Sequence, residues 1–207
     1  MMIMNPCHTK KIVENIYSIK TSIVNMYLYQ YADKYIAIDC GSNLEKVKEN
    51  LLLLNINASD VTHIFLTHSD YDHVAGLPLF TNARVYLGHE ELQMIDKTTP
   101  RFSAFKFNKP LGCSEFELLL DQQEIEIENV NIRCFATPGH TPGSMSYLFD
   151  QKYFFVGDAV SIKNGEIKPF FKFFVMDMKT HLKSITKIEN VRKAQIVFSG
   201  HHGYKIK

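Results

Sequence analysis

Short apolar runs separated by turn residues recur along most of this chain. Residues 23–31 and 34–39 are rich in β-branched and aromatic side chains, and two residues of turn character, Ala32 and Asp33, separate them. Such a pattern is typical of two antiparallel strands joined by a tight turn. We therefore predict a β-hairpin that ends at Gly41.

Helical and strand-like patterns alternate after this hairpin. Ser42 and Glu45 have the spacing of a capping box, and apolar residues then recur with the period of a helix. Because no composition break marks a linker, we predict one α/β domain over 1–207, built from two similar halves at about 12–115 and 116–207. The further predicted strands are 62–66, 84–86, 124–128, 131–136, 145–149, 152–156 and 195–198. The further predicted helices are 73–80, one that begins at Glu90, and one with Met178, Leu182, Ile185 and Ile188 on one face. Residues 98–115 are predicted to form a long loop or lid.

Composition and charge exclude several classes of protein. The 23 Lys and Arg residues balance 22 Asp and Glu residues, which leaves no electrostatic footprint for nucleic acid or an anionic membrane. The first residues lack the pattern of a signal peptide, and no apolar run has the length of a membrane helix. The four cysteines form no CxxC pair. We expect reduced thiols, a cytoplasmic location and a small-molecule substrate.

Four predicted strands end in side chains that bind metals. A single His or Asp at a strand end is usually a cap or a surface group, but four such ends in acidic or glycine-flanked loops are not explained by capping. Imidazoles and carboxylates are ligands for zinc, iron or manganese. The candidates are His68, Asp70, Asp72 and His73 in one segment, His140 in a Pro-Gly loop, Asp158 after Gly157, and His201 after Gly200.

Five motifs in order, IDCG at 38–41, THSDYDH at 67–73, TPGHTPGS at 137–144, GD at 157–158 and GHHG at 200–203, resemble those of the metallo-β-lactamase superfamily. The resemblance covers nearly the whole chain. It implies an αββα four-layer sandwich, in which helices flank two mixed β-sheets and the metal site lies at the edge between them. It also implies the following roles: His68, Asp70 and His140 for one ion, Asp72, His73 and His201 for a second, Asp158 as a bridge, and Asp39 as a buried carboxylate that orients the site.

Asp70 departs from the pattern of this family, which is usually HxHxDH. The aspartate adds a negative charge, and more oxygen ligands favour harder ions. The flavodiiron branch, which carries Glu at this position, binds iron. We expect two divalent ions, zinc first, with iron or manganese left open by Asp70. The alternative is that Asp70 sits too far back to bind directly and leaves the first site weak or water-mediated.

The resemblance implies a metal-dependent hydrolase that uses a metal-bridging hydroxide, with Asp72 orienting it, to cleave an ester, thioester or lactone. The glyoxalase II-like branch is the most similar, in a short form without the helical C-terminal domain, because six residues follow His201. An iron-dependent oxidoreductase similar to flavodiiron proteins or persulfide dioxygenases is one alternative. A ligand-binding module with a relict metal site is another.

Aromatic residues are the remaining candidates for substrate binding. Phe170, Phe171 and Phe173, together with Phe102, Phe105 and Phe107 in the long loop, could line an apolar pocket or a homodimer contact. Tyr204 could reach a substrate oxyanion. The other histidines, His8, His63, His89 and His181, are expected on the surface. His202, next to His201, is expected to face solvent, and the alternative is that it supports the metal ligands.

Overall fold

Two mixed β-sheets lie face to face in the computed structural model, which describes residues 4–101, 109–191 and 193–207. The first sheet has seven strands in chain order, and its last four are parallel. They are β1 (Lys10–Val13), β2 (Ile16–Thr21), β3 (Val24–Tyr31), β4 (Lys34–Ile38), β5 (Val61–Phe65), β6 (Arg84–Gly88) and β7 (Glu117–Leu119).

The second sheet has six strands, in the order β15-β14-β11-β10-β9-β8, and β11 and β14 are its parallel pair. A separate two-stranded ribbon, β12 with β13, interrupts the chain between β11 and β14. The bounds are β8 (Glu124–Ile127), β9 (Val130–Ala136), β10 (Met145–Phe149), β11 (Tyr153–Phe155), β12 (Val160–Lys163), β13 (Glu166–Pro169), β14 (Ile196–Ser199) and β15 (Gly203–Ile206).

Three apolar cores hold the layers together. The middle core, with Phe65 and Phe149, lies between the two sheets. Helix α1 (Leu44–Leu53) buries Val47 and Leu51 in the core on the outer side of the first sheet. Two short helices, α2 (Tyr71–Val74) and α3 (Leu92–Ile95), follow β5 and β6, and α4 (Met178–Glu189) packs on the outer side of the second sheet. This arrangement confirms the predicted αββα sandwich.

The structure confirms the predicted hairpin, which is β3 and β4, and corrects three helical details. The cap of α1 is Asn43, whose side chain accepts from the Lys46 amide at 2.9 Å, because the Ser42 hydroxyl instead donates to the Thr21 carbonyl. The helix predicted over 73–80 is only α2, followed by a 3-10 turn at Leu77–Leu79. In α4, Leu182 is exposed, and the buried face is formed by His181, Ser184, Ile185 and Ile188.

No helix within the described ranges is long and apolar enough to cross a membrane. All four cysteines are free thiols. The similarity of the two halves stays a prediction.

Candidate metal centre

The metal-competent side chains converge at one edge of the sandwich. They lie beyond the carboxyl ends of strands: Asp39 follows β4, the segment His68–His73 follows β5, Asp158 follows β11 and His201 follows β14. His140 reaches the same edge from the loop between β9 and β10. Carboxyl ends of parallel strands share an edge, so residues distant in sequence meet there. The distances among their ligand atoms define two candidate metal positions, called the first and the second position in the order of the two predicted ions.

The second position is formed by Asp72, His73, His201 and Asp158. Asp158 Oδ2 lies 3.1 Å from His201 Nε2, and Asp158 Oδ1 lies 3.5 Å from His73 Nε2. Asp72 Oδ2 lies 3.4 Å from His201 Nε2. Within the described ranges, His73 Nε2 and Asp158 Oδ1 are buried without a hydrogen-bond partner. Buried polar atoms are normally satisfied, so these two indicate a missing ligand between them.

Asp39 orients the histidines from behind. Its Oδ2 lies 2.7 Å from His73 Nδ1, and it accepts hydrogen bonds from the amide and hydroxyl of Thr67. The Thr67 hydroxyl is in turn 3.0 Å from His68 Nδ1. His201 Nδ1 points at the Ile23 carbonyl, 2.6 Å away. Because the Nδ1 atoms of His68, His73 and His201 are engaged, the Nε2 atoms of these rings face the centre, as in many protein metal sites.

Opposite charges control protonation at this position. Burial disfavours the ionised form of Asp158, but the imidazoles of His201 and His73 outweigh it and hold the carboxyl pKa well below its ordinary range. Burial lowers the pKa of His73, but Asp158, Asp39 and Asp72 outweigh it, and the pKa is well above its ordinary value. The pKa of His201 is raised in the same way, mainly by Asp158. The carboxylates therefore favour positive charge at this position, carried by protons on the imidazoles or by a bound cation.

The first position is formed by His68, Asp70 and His140, whose ligand atoms lie within 4.8 Å of one another. Asp70 Oδ2 is 3.2 Å from His140 Nε2 and 3.6 Å from His68 Nε2. A fourth residue enters this group: the Arg101 guanidinium, whose side chain is 2% exposed, contacts both Asp70 oxygens. Burial opposes ionisation of Asp70, but hydrogen bonds from His140, His68 and Arg101 hold its pKa well below the usual range.

A buried glutamate connects the loops of the first position. Glu91 is fully buried and accepts four hydrogen bonds. Its Oε1 accepts from the Ser69 amide at 2.8 Å and from the Ser69 hydroxyl at 2.7 Å. Its Oε2 accepts from the Thr141 hydroxyl at 2.7 Å and from the Gly143 amide at 3.0 Å. Glu91 therefore ties the segment that bears Asp70 to the loop that bears His140.

Close packing around Asp158 requires a residue without a side chain at position 200. A Cβ on Gly200 would lie 2.4 Å from Asp158 Oδ1 and 3.0 Å from His73 Cε1. Both atoms belong to the second position, so the glycine of the GHHG motif leaves room for the carboxylate.

The donor set fits a divalent ion at the second position, because Asp72, His73 and His201 offer ligand atoms within 4.8 Å of one another, Asp158 lies 3.1 Å from His201, and His73 Nε2 and Asp158 Oδ1 are otherwise unsatisfied within the described residues. A family model described as the metallo-beta-lactamase superfamily matches residues 19–201. The chain belongs to the metallo-β-lactamase superfamily.

Known members of the superfamily include hydrolases. The chain is 33% identical over 163 residues to a "Probable metallo-hydrolase" of Methanocaldococcus jannaschii, covering 76% of this chain and 68% of that protein. It is 34% identical over 128 residues to a "Probable polyketide biosynthesis zinc-dependent hydrolase" of Bacillus subtilis, covering 60% of this chain and 49% of that protein. This chain thus spans about half the length of the Bacillus protein. These relatives support a metallo-hydrolase that binds a divalent metal.

A solved structure supports the fold. The chain superposes with a TM-score of 0.74 on a B3 metallo-β-lactamase described as having an active-site glutamic acid, at 20% identity, covering 99% of this chain and 84% of the other. At that identity the similarity establishes the metallo-β-lactamase fold.

An open cleft of about 340 Å³ leads to the metal-competent residues. Phe170 and Phe174 lie along it, together with Ile23, Tyr71 and Lys109. Phe171 and Phe173, both predicted to bind substrate, are not in its lining, and Phe173 is 83% exposed. Tyr204 packs against Phe198 of the middle core. Phe102, Phe105 and Phe107 lie outside the described residues.

The other histidines divide into two groups. His8 and His89 are exposed and His63 is half-buried. The prediction of a surface position is wrong for His181 and His202, which are buried. His181 lies on the inner face of α4, where its Nε2 is 3.3 Å from the Phe170 amide, and His202 packs against the Phe171 ring.

Two residues of the centre were not predicted from the sequence, Arg101 and Glu91. Neither lies in a motif, and Arg101 stands in the long loop. The one signal in the sequence is indirect: an aspartate at position 70 in place of the usual histidine adds a charge that a buried site must balance.

Proposed function

We propose that this chain is a zinc-dependent hydrolase that cleaves an ester, thioester or lactone bond in a small molecule. The observation that carries the proposal is the second position, where Asp72, Asp158 and His201 line an open cleft and the buried His73 lies 3.5 Å from Asp158. Hydrolysis needs a cation that water and a carbonyl can both reach, and this position provides the ligands for one.

A divalent ion held there would lower the pKa of a water molecule and polarise the carbonyl under attack. His73 and His201 would hold the ion through Nε2, with their rings fixed by Asp39 and the Ile23 carbonyl. Asp72 is 31% exposed and borders the cleft, so its free oxygen can accept a proton from the attacking water and keep that water aimed.

The walls of the cleft favour an acyl substrate. Phe170 and Phe174 provide an apolar side against which the acyl chain of a substrate can pack. Lys109 lies at the cleft with its Nζ 3.9 Å from the centre of the Tyr71 ring, where it can attract an anionic group of the substrate. These features support a carboxylate- or phosphate-bearing ester or thioester.

Zinc is proposed over iron for two reasons. The Bacillus relative is named a zinc-dependent hydrolase. The extra carboxylate that favoured a harder ion, Asp70, has a guanidinium as its partner. With that charge neutralised, the argument for an oxidoreductase loses its basis. A cytoplasmic location, the absence of nucleic-acid or membrane partners, and a homodimer formed around Phe173 remain parts of the proposal.

The test is a panel of p-nitrophenyl esters, acyl-CoA and acyl-glutathione thioesters, and acyl-homoserine lactones, assayed with zinc-loaded protein of measured metal content. We expect turnover of at least one class that a chelator abolishes and zinc restores. Asp158→Asn should remove metal and turnover together, whereas Asp33→Asn, in the exposed β3–β4 turn, should change neither. Absence of turnover across the panel by protein with zinc bound would overturn the proposal.

A further inference from the structure

The Arg101 guanidinium lies at the first position, in contact with Asp70 and His140. Its Nε donates to both Asp70 oxygens, at 2.8 and 2.9 Å. Its Nη2 lies 3.1 Å from His140 Nε2 and donates to the Phe174 carbonyl at 2.8 Å. The side chain is 2% exposed. A guanidinium is always protonated in proteins and only donates hydrogen bonds, so a permanent positive charge is buried between two expected metal ligands.

These contacts use the ligand atoms that an ion would need. His140 Nε2 lies 3.1 Å from Arg101 Nη2 and 3.2 Å from Asp70 Oδ2, so it either accepts from the guanidinium or donates to the carboxylate, and in neither state is its lone pair free for an ion. Both Asp70 oxygens accept from Arg101 Nε, so an ion bound by Asp70 would lie beside the positive charge of the guanidinium. His68 Nε2 has no hydrogen bond within the described residues, and it also lies within 4.8 Å of ligand atoms of His73 and Asp158. One imidazole by itself does not hold a divalent ion at the first position, since protein sites use three or more ligands.

The second position differs in this respect. Its four side chains contact one another at 3.1–3.9 Å, whereas the hydrogen bonds described above for Arg101 go to Asp70, His140 and the Phe174 carbonyl. At the first position, the Arg101 guanidinium already balances the charge of Asp70, the one carboxylate among the three candidate ligands there.

We propose that the Arg101 guanidinium takes the place of the metal ion at the first position, so that the centre holds one divalent ion, at Asp72, His73, His201 and Asp158. Asp70 then serves as the partner of Arg101, and His68 and His140 as its neighbours. The predicted pair of ions is replaced by one exchangeable ion and one fixed cation. The inference rests on metal binding at the second position, which the proposed hydrolase also requires, but not on hydrolysis itself.

Metal stoichiometry tests the inference without an activity assay. Chelator-treated protein is equilibrated by dialysis with excess Zn²⁺ or Co²⁺, and bound metal is measured by elemental analysis. We expect about one ion per chain in the unmodified protein. Arg101→Met, which frees Asp70 and His140, should bind close to two ions per chain, and its Co²⁺ form should show spin coupling in its electron paramagnetic resonance spectrum. Arg84→Met, at an exposed arginine of β6, is the matched control and should bind about one.

The same measurement of bound metal can also overturn the inference. Two ions in the unmodified protein, and a loss of the second in Arg101→Met, would overturn the inference and make Arg101 a positioning residue for Asp70 as a ligand. Should Arg101→Met not fold, the double variant Asp70→His with Arg101→Met restores the usual ligand set, and two ions are expected there. No bound ion in the unmodified protein would refute the hydrolase and the inference together, whereas one ion without turnover refutes only the hydrolase.

Discussion

Replacing Glu91 with glutamine should destabilise the protein, because it leaves one buried backbone N–H without a hydrogen-bond acceptor. Four donors face the Glu91 carboxylate, two from Ser69 and one each from Thr141 and Gly143. A glutamine offers one oxygen and one NH₂ group, so the NH₂ must face two of these donors. A hydroxyl can rotate to accept from the NH₂ group, but a backbone N–H cannot. One buried amide, of Ser69 or of Gly143, is therefore left without an acceptor.

The magnitude follows from these contacts. An unsatisfied buried N–H costs about 1–3 kcal/mol, and the surviving hydrogen bonds lose the charge that strengthened them. We expect Glu91→Gln to lower the free energy of unfolding by about 3 kcal/mol. For a chain of this length, each kcal/mol corresponds to about 2–4 °C, so the midpoint of thermal unfolding should fall by about 6–12 °C.

The assay is calorimetry and urea unfolding of metal-free protein, so that metal affinity does not enter the comparison. The neighbouring Glu90→Gln is the matched control, because Glu90 is exposed and its side chain contacts only His89 in the described structure. The control should unfold within about 0.5 kcal/mol of the unmodified protein. Equal stability of the two variants would refute the idea that Glu91 ties the loops together.

Three further predictions concern the second position and the cleft. Gly200→Ala should weaken zinc binding by more than about 10-fold in a chelator competition, because the new Cβ displaces Asp158 and His73; unchanged affinity would contradict the packing argument. Because the pKa values of His73 and His201 are raised in the metal-free protein, these rings hold protons near neutral pH that an ion must displace. Zinc affinity should therefore rise with pH, with about one to two protons released per ion, measured by calorimetry in buffers of different ionisation enthalpy; release of none would count against the raised values. Lys109→Met should raise KM for anionic acyl substrates several-fold at unchanged kcat and leave neutral esters unaffected; an equal effect on both would remove Lys109 from substrate binding.

Much of the fold was predictable because its signals are local. The β3–β4 hairpin and the β10 strand have dense β-branched and aromatic residues, and they were predicted to within a residue or two. The elements that escaped prediction have weak patterns. Strands β1 and β13 are short and contain only exposed or half-buried residues, so burial imposes little alternation on them. The helix expected over 73–80 stops early, since Pro78 has no N–H to continue it.

The candidate ligands were predictable for a related reason. His68, Asp72 and His73 lie within one motif directly after a buried strand, and strand order brings such ends together. The spacing of the motif residues in the sequence could not show which atoms of the site have hydrogen-bond partners elsewhere in the chain. The Ile23 carbonyl that orients His201 is 178 residues away in sequence, and the donors to Glu91 come from two separate loops.

Asp70 and Arg101 show why the first position could not be derived from the motif alone. Exchanging the usual histidine for aspartate replaces a neutral ligand with a charged one, and a buried carboxylate needs a cation nearby. The motif by itself is equally compatible with two such cations, a harder metal ion or a basic side chain from elsewhere in the chain. The guanidinium 31 residues away, with Nε 2.8 Å from Asp70 Oδ1, decides between them. A substitution at a ligand position therefore has to be interpreted together with the charge that the fold brings to it.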